Sequence, residues 1–157
     1  MKTTLKNLTL LVLMVLVFKS CTKDDDDNMS IVDASDIPQI QAAIANGDWK
    51  ITYYFDSDKD ETSDYAGYVF TFQEDGVLAV SNGSTALSGA WSITSSDNSN
   101  DDSSSNDVDF NIVFSSPVLF EELSDDWEIK KYTSTTIELY DISGGDGTTD
   151  FLTFTKN

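Results

Sequence analysis

In one short stretch after another between Trp49 and Thr155, apolar residues recur at every second position, and a repeated period of two is the signature of strands. Trp49, Ile51, Tyr53 and Phe55 alternate with Lys50, Thr52, Tyr54 and Asp56. A strand over this stretch is expected to turn the first set inward and the second, Tyr54 included, outward. Tyr68, Phe70 and Phe72 make a second such face, Glu74-Asp75-Gly76 reads as a hairpin turn, and Val77 to Val80 returns from it. Leu87 to Thr94 carries Trp91 and Ile93 on one side, and Val108 to Phe114 carries Phe110, Ile112 and Phe114. Trp127 to Tyr132, Thr136 to Ile142 and Phe151 to Thr155 close the series, with the turn Gly144-Gly-Asp-Gly147 between the last two.

Two of the intervening stretches are distinctive. Ser95 to Asp107 contains only Ser, Asp and Asn, which bury nothing to offset their ordering entropy, so a disordered loop is expected. Pro117 to Leu123 reads as a single helical turn or a wide connection. Ahead of the strands, Asp36 to Asn46 places Ile37, Ile40 and Ile44 at i, i+3 and i+7, with Pro38 near the start and Gly47 after the end. That predicts one short amphipathic helix capped by Ser35 or Asp36.

Eight strands in succession without an intervening helix disfavour a parallel sheet, which needs βαβ crossovers. An antiparallel meander of this length removes its edges by closing, so the expectation is an all-β, eight-stranded barrel with one N-terminal helix; a β-sandwich is the alternative. Nine Phe, six Tyr and three Trp supply enough bulk to fill or line such an interior.

The N-terminus carries a different signal. Lys2 and Lys6 precede the apolar run Leu8 to Phe18, whose eleven residues would rise only ~16 Å as a helix, about half the hydrocarbon core of a bilayer. That suits the hydrophobic region of a secretory signal. The chain's one cysteine follows in Phe18-Lys19-Ser20-Cys21, which resembles a bacterial lipoprotein signal; Lys19 replaces the small or apolar residue usual there. The resemblance implies lipidation of Cys21 and removal of residues 1–20. Thr22-Lys23-Asp24-Asp25-Asp26-Asp27 resembles the acidic export tag of Bacteroidota lipoproteins, which implies attachment to the cell outer membrane. Residues 21–35 read as a lipidated, acidic, flexible tether and 36–157 as the folded domain.

The strand motifs carry a resemblance of their own. Gly47-Asp48-Trp49 opens the first strand directly after the helix, as in the Gly-x-Trp motif of lipocalins. Phe70-Thr-Phe-Gln-Glu-Asp-Gly76, Gly89-Ala-Trp91, Asp126-Trp-Glu-Ile129, Ile137-Glu-Leu139 and Phe151-Leu-Thr-Phe154 follow in order. Over roughly 47–157 the chain resembles the lipocalin-like domain lipoproteins of Bacteroidota. That resemblance implies a barrel holding a small hydrophobic ligand, with Trp49, Tyr53, Phe70, Phe72 and Trp91 as candidate ligand-binding residues. Lipocalins set a late-strand Arg over the first-strand Trp. This chain has no Arg, which leaves Lys130, Lys131 or Lys156 for that place.

Charge and residue inventory narrow the rest. The formal charge is −19; without residues 1–20, six Lys remain against all 28 acids, a balance of −22. So acidic a surface repels phosphate backbones, and no nucleic-acid partner is expected. With no His and one Cys, catalysis by imidazole and Cys-Cys metal sites are excluded. No carboxylate pair stands out, so the chain is read as non-catalytic, without cofactor and monomeric. Asp56-Ser-Asp-Lys-Asp60 begins like a calcium loop but has Glu61 and Gly67 where an EF-hand needs Gly and Glu. A looser cage of Asp56, Asp58, Asp60 and Asp64 is the remaining metal reading; Asp97, Asp101, Asp102 and Asp107 make a poorer one. Beside the ligand-binding reading stands a second, a surface module that contacts a protein or glycan through its outer face or loops.

Overall fold

The computed structural model describes residues 32–96, 107–142 and 147–157. The signal segment, Cys21, the acidic run, most of the Ser/Asp/Asn loop and Gly144 to Asp146 lie outside the described residues.

A 3₁₀ turn, Ala34–Asp36, leads into helix α1, Ile37–Ile44. The cap differs from expectation. Asp33 accepts from the Ser35 N–H at 2.7 Å, and Asp36 accepts from the Asp33 N–H at 3.2 Å, a reciprocal capping box one turn earlier. Then come the strands β1 (Trp49–Asp56), β2 (Lys59–Asp60), β3 (Val69–Phe72), β4 (Val77–Ser81) and β5 (Ala86–Ser96). They continue as β6 (Asp107–Val113), β7 (Asp125–Tyr132), β8 (Thr136–Ile142) and β9 (Thr149–Lys156). A second 3₁₀ turn, Thr62–Tyr65, lies between β2 and β3, and the short helix α2, Val118–Glu121, between β6 and β7.

Each strand from β3 to β9 pairs antiparallel with the next, and β9 also pairs with β1 along six residue pairs from Trp49/Lys156 to Phe55/Phe151. That last ladder closes the sheet into an eight-stranded barrel of β1 and β3–β9, which excludes the sandwich. Ser95, Ser96 and Asp107, expected in a disordered loop, belong instead to the β5–β6 ladder through the pairs Ser95/Val108 and Ser96/Asp107. Backbone hydrogen bonds continue a ladder whatever the side chains are.

The sequence reading misses β2 and the 3₁₀ turn after it. β1 and β3 pair only at Trp49/Phe70. Beyond that rung the strands part, and the Tyr54 backbone bonds to the inserted segment instead: its N–H donates to Thr62 Oγ1 and its C=O accepts from the Glu61 N–H, both at 2.9 Å. Tyr65 from this segment is buried and fills the gap.

Inside, Phe70, Phe72, Phe110 and Phe154 meet edge to face or tilted. Phe72 touches Trp91, Phe110 and Phe154 with ring centroids 5.3, 5.6 and 5.3 Å away. Such pairs contribute ~0.5–1.5 kcal/mol each beyond area burial. The two ends are plugged. At one, α1 lays Ile40 and Ile44 on the barrel floor, and Trp49 Nε1 donates to the Ile44 carbonyl at 2.8 Å. At the other, the α2 connection inserts Phe120 and Leu123.

Candidate functional site

The barrel interior is where the resemblance places a ligand. Trp49, Phe70 and Phe72 point into it, and each has 0 % accessible surface, so no water-sized space touches any of them. Leu78, Phe110, Leu152 and Phe154 around them are equally enclosed. Trp91 is also inward but keeps 7 % exposure, and its Nε1 donates to the Gln73 carbonyl at 2.8 Å. Trp49, Phe70, Phe72 and Trp91 are therefore brought together as one packed aromatic interior. The place over Trp49 is taken by Lys156, whose Nζ sits 5.5 Å from the ring centroid, while Lys130 lies against Phe151 and Lys131 pairs with Glu138 in the β7–β8 ladder. Gly47 has φ +96°, a conformation that favours glycine, and it lets Lys156 Cε come within 2.9 Å of where a Cβ would stand.

Tyr53 is the exception. It faces outward at 40 % exposure, while Tyr54 is buried, the reverse of the expected alternation. The cause is a β-bulge. Opposite the consecutive residues Phe154 and Thr153 of β9 stand Ile51 and Tyr53, so Thr52 is an extra residue and the side-chain phase flips after it. Tyr54 then reaches across the lumen end, where its hydroxyl donates to the Glu122 carbonyl at 2.8 Å. Tyr65 does the same to Leu119 at 2.6 Å, and Trp127 Nε1 to Leu123 at 3.1 Å. Three buried rings thus tie down the α2 plug. Burial, reinforced by the Asp56 carboxylate, pushes the Tyr54 phenol far above its ordinary pKa, and burial with Glu122 does so for Tyr65. Both remain neutral donors.

Flipping Tyr53 outward assembles a second aromatic group, on the outside of the barrel. Tyr53 and Phe55 lie nearly parallel at 6.4 Å and 18°, and Tyr53 stands 6.5 Å from Phe151. Phe55, Phe151 and Tyr140 occupy one continuous cross-strand rung: Asp60, Phe55, Phe151, Tyr140, Glu128 and Asp109 face each other in turn over β2, β1, β9, β8, β7 and β6. Directly opposed residues project from the same face of a sheet. The Tyr140 hydroxyl donates to Glu128. A second bulge, at Lys130 in β7, sets its ammonium 5.7 Å from the Phe151 centroid. The sequence reading missed this strip because it had assigned Tyr53 and Phe55 to the interior.

Carboxylates gather at the α2 end. Asp125 begins β7, and Asp141 and Asp150 lie one residue inside the end of β8 and the start of β9. Burial first, with Asp141 and Asp126 adding like charge, raises Asp125 to about 6; burial and Asp150 raise Asp141. Asp150 also accepts from the Ser57 N–H at 2.6 Å. Among the described residues no three acidic side chains form a group that could hold a metal ion, which overturns the looser calcium cage of Asp56, Asp58, Asp60 and Asp64. Local bonds take these oxygens: Asp60 accepts from Thr62 N–H at 3.0 Å and Asp56 from Ser57 Oγ at 2.9 Å. Two shallow grooves flank α1. One of about 440 Å³ lies between Ala42, Ala45, Glu74, Asp75 and Trp91, the other, about 390 Å³, between Val32, Gln39, Ala43 and Tyr132. No helix among the described residues is long and apolar enough to cross a membrane.

No protein-family model matches the sequence. A search of curated proteins finds no match either. Among solved structures, the chain is similar to a DUF4847 family protein from Bacteroides vulgatus, with 15% sequence identity and a TM-score of 0.46 over 75% of this chain and 97% of that one.

Proposed function

We propose that this chain is a non-catalytic, lipid-anchored barrel of the cell outer membrane that recognises a partner through its outer surface. The observation that carries this reading is the complete enclosure of Trp49, Phe70 and Phe72, three of the five residues that a lumenal ligand would have to touch. With α1 under one end and the α2 connection over the other, a hydrophobic molecule would have to displace packed rings and three side-chain hydrogen bonds to enter. The anchor rests on Cys21 behind its apolar signal, and stable attachment needs more than one acyl chain at that residue. With neither His nor Arg in the sequence, and with the buried phenols of Tyr54 and Tyr65 committed to backbone carbonyls, the described residues offer no activated nucleophile.

A second reading has one observation in its favour. Trp91 keeps a little exposure at the groove of about 440 Å³ beside α1, so a small apolar ligand could reach that indole without entering the lumen.

Native mass spectrometry of the full chain, incubated with lipid extract from the host and with free fatty acids, separates these readings. The expected spectrum shows the acyl groups on Cys21 and no non-covalent adduct. An adduct lost in Phe72→Ala would move the function into the lumen. One lost in Ala45→Trp, which fills the groove, would move it beside Trp91. Cys21→Ser is expected to release the protein from the membrane fraction.

A further inference from the structure

The strip on the outer wall carries more than a hydrophobic patch. Two bulges on separate strands serve it: the one at Thr52 turns Tyr53 outward beside Phe55, and the one at Lys130 brings an ammonium over Phe151. Bulges re-aim side chains and tend to mark sites rather than faults. Tyr53 and Phe55 lie nearly parallel on this wall, and the face of an aromatic ring is its electron-rich side, the side over which Lys130 already sits at Phe151. Carboxylates flank the rings along the same rung, Asp60 on one side and, past Tyr140, Glu128 and Asp109 on the other. The whole chain adds a field of −19.

Aromatic rings between carboxylates on a polyanion suit a cation. From these features the geometry points to Tyr53, Phe55 and Phe151 as a docking strip for a basic segment of a partner protein, whose Lys or Arg side chains stack on the rings while their charges face the acidic ends. Lys130 over Phe151 shows the contact already made within the chain: it occupies one ring of the strip with the chemistry a partner would bring to the other two. The same charge disfavours acidic ligands, including nucleic acids and anionic lipid surfaces. This inference rests on the outer-surface reading above and names the partner's chemistry.

The test is titration of the isotope-labelled full chain, held in non-ionic detergent, followed by NMR. The probes are an octapeptide of alternating Arg and Gly, the same peptide with citrulline for Arg, a neutral glucan hexasaccharide and lauric acid. The Arg peptide is expected to shift Tyr53, Phe55 and Phe151 and to bind at least ~10-fold more tightly than its citrulline twin. Tyr53→Ala, at an exposed position, is expected to weaken it about 5-fold, and Lys130→Gln, which uncovers Phe151, to tighten it about 2-fold. Equal affinity for wild type and Tyr53→Ala would reveal general attraction to a polyanion and overturn the proposal, as would the absence of any shift with the Arg peptide. Shifts at the strip with the hexasaccharide alone, or with protein concentration alone, also overturn it, in favour of a glycan or a second copy, yet leave the outer-surface reading standing. Lauric acid shifting Phe72 and Phe154 would sink that reading itself.

Discussion

Phe72→Ala is the perturbation that most directly asks whether the barrel is filled. The ring has no accessible surface and sits between Trp91, Phe110 and Phe154 at 5.3–5.6 Å. Removing the phenyl group forfeits about 2 kcal/mol of transfer free energy. Its neighbours are themselves rings locked edge to face, so they cannot fold inward, and a void of about 90 Å³ at ~24 cal/mol per Å³ adds about 2 kcal/mol. The expected loss is therefore about 4 kcal/mol, within the total of ~5–15 kcal/mol that a domain possesses, so the variant still folds. Urea unfolding followed by tryptophan fluorescence reads it as a lower midpoint with an unchanged slope. The void is apolar and should stay dry, so saturating benzene is expected to restore part of the loss in Phe72→Ala and to leave the wild type unmoved. A loss below about 1 kcal/mol, or a wild-type midpoint that rises with benzene, would refute the reasoning, because either means the space was there already.

Gly89→Ala should be among the most damaging single-methyl additions: its Cβ would lie 2.4 Å from the Val113 carbonyl oxygen and 2.6 Å from the Phe114 ring. The ring can turn aside but the oxygen belongs to the β5–β6 ladder, so a cost of about 3 kcal/mol is expected by thermal melting, with Phe114→Leu giving no rescue. Tyr54→Phe removes the donor to Glu122 O and is expected to cost ~1–2 kcal/mol by urea unfolding while leaving far-UV circular dichroism intact. Asp125 has a folded pKa of about 6, above its unfolded value, so its ionisation opposes folding above that pH and the penalty fades as pH falls from 7 towards 4. Solvent screens this partly exposed carboxylate, so Asp125→Asn is expected to stabilise by roughly 1 kcal/mol at pH 7 and by nothing measurable near pH 4, read by urea midpoints across that range.

Most of the strands were legible because alternation is a local property: a residue's side is decided by its neighbours two positions away. The helix could be read for the same reason, from Ile37, Ile40 and Ile44. Where the reading erred, the pattern itself was symmetric. In Trp-Lys-Ile-Thr-Tyr-Tyr-Phe-Asp either tyrosine continues the apolar face, and strict alternation chooses Tyr53. Packing chooses Tyr54, because only from there does a hydroxyl reach the carbonyl of Glu122, far away in sequence. Glu-Ile-Lys-Lys-Tyr hides the second bulge in the same way, behind two identical lysines. The short strand Lys59–Asp60 escaped because two exposed residues carry no period at all.

By itself, then, the sequence determined that this chain is an antiparallel all-β domain with a helix in front, since period two, turn residues and the lack of βαβ spacing act over a few residues at a time. It also determined the acidity and the exclusion of imidazole chemistry, which are matters of inventory. Closure of β9 on β1, the aromatic filling of the lumen, and the turning of Tyr53 to the outer wall were decided only in three dimensions. Each depends on contacts between residues far apart in the sequence, such as the bulged Thr52 bonded to Thr155. No window along the chain contains that choice.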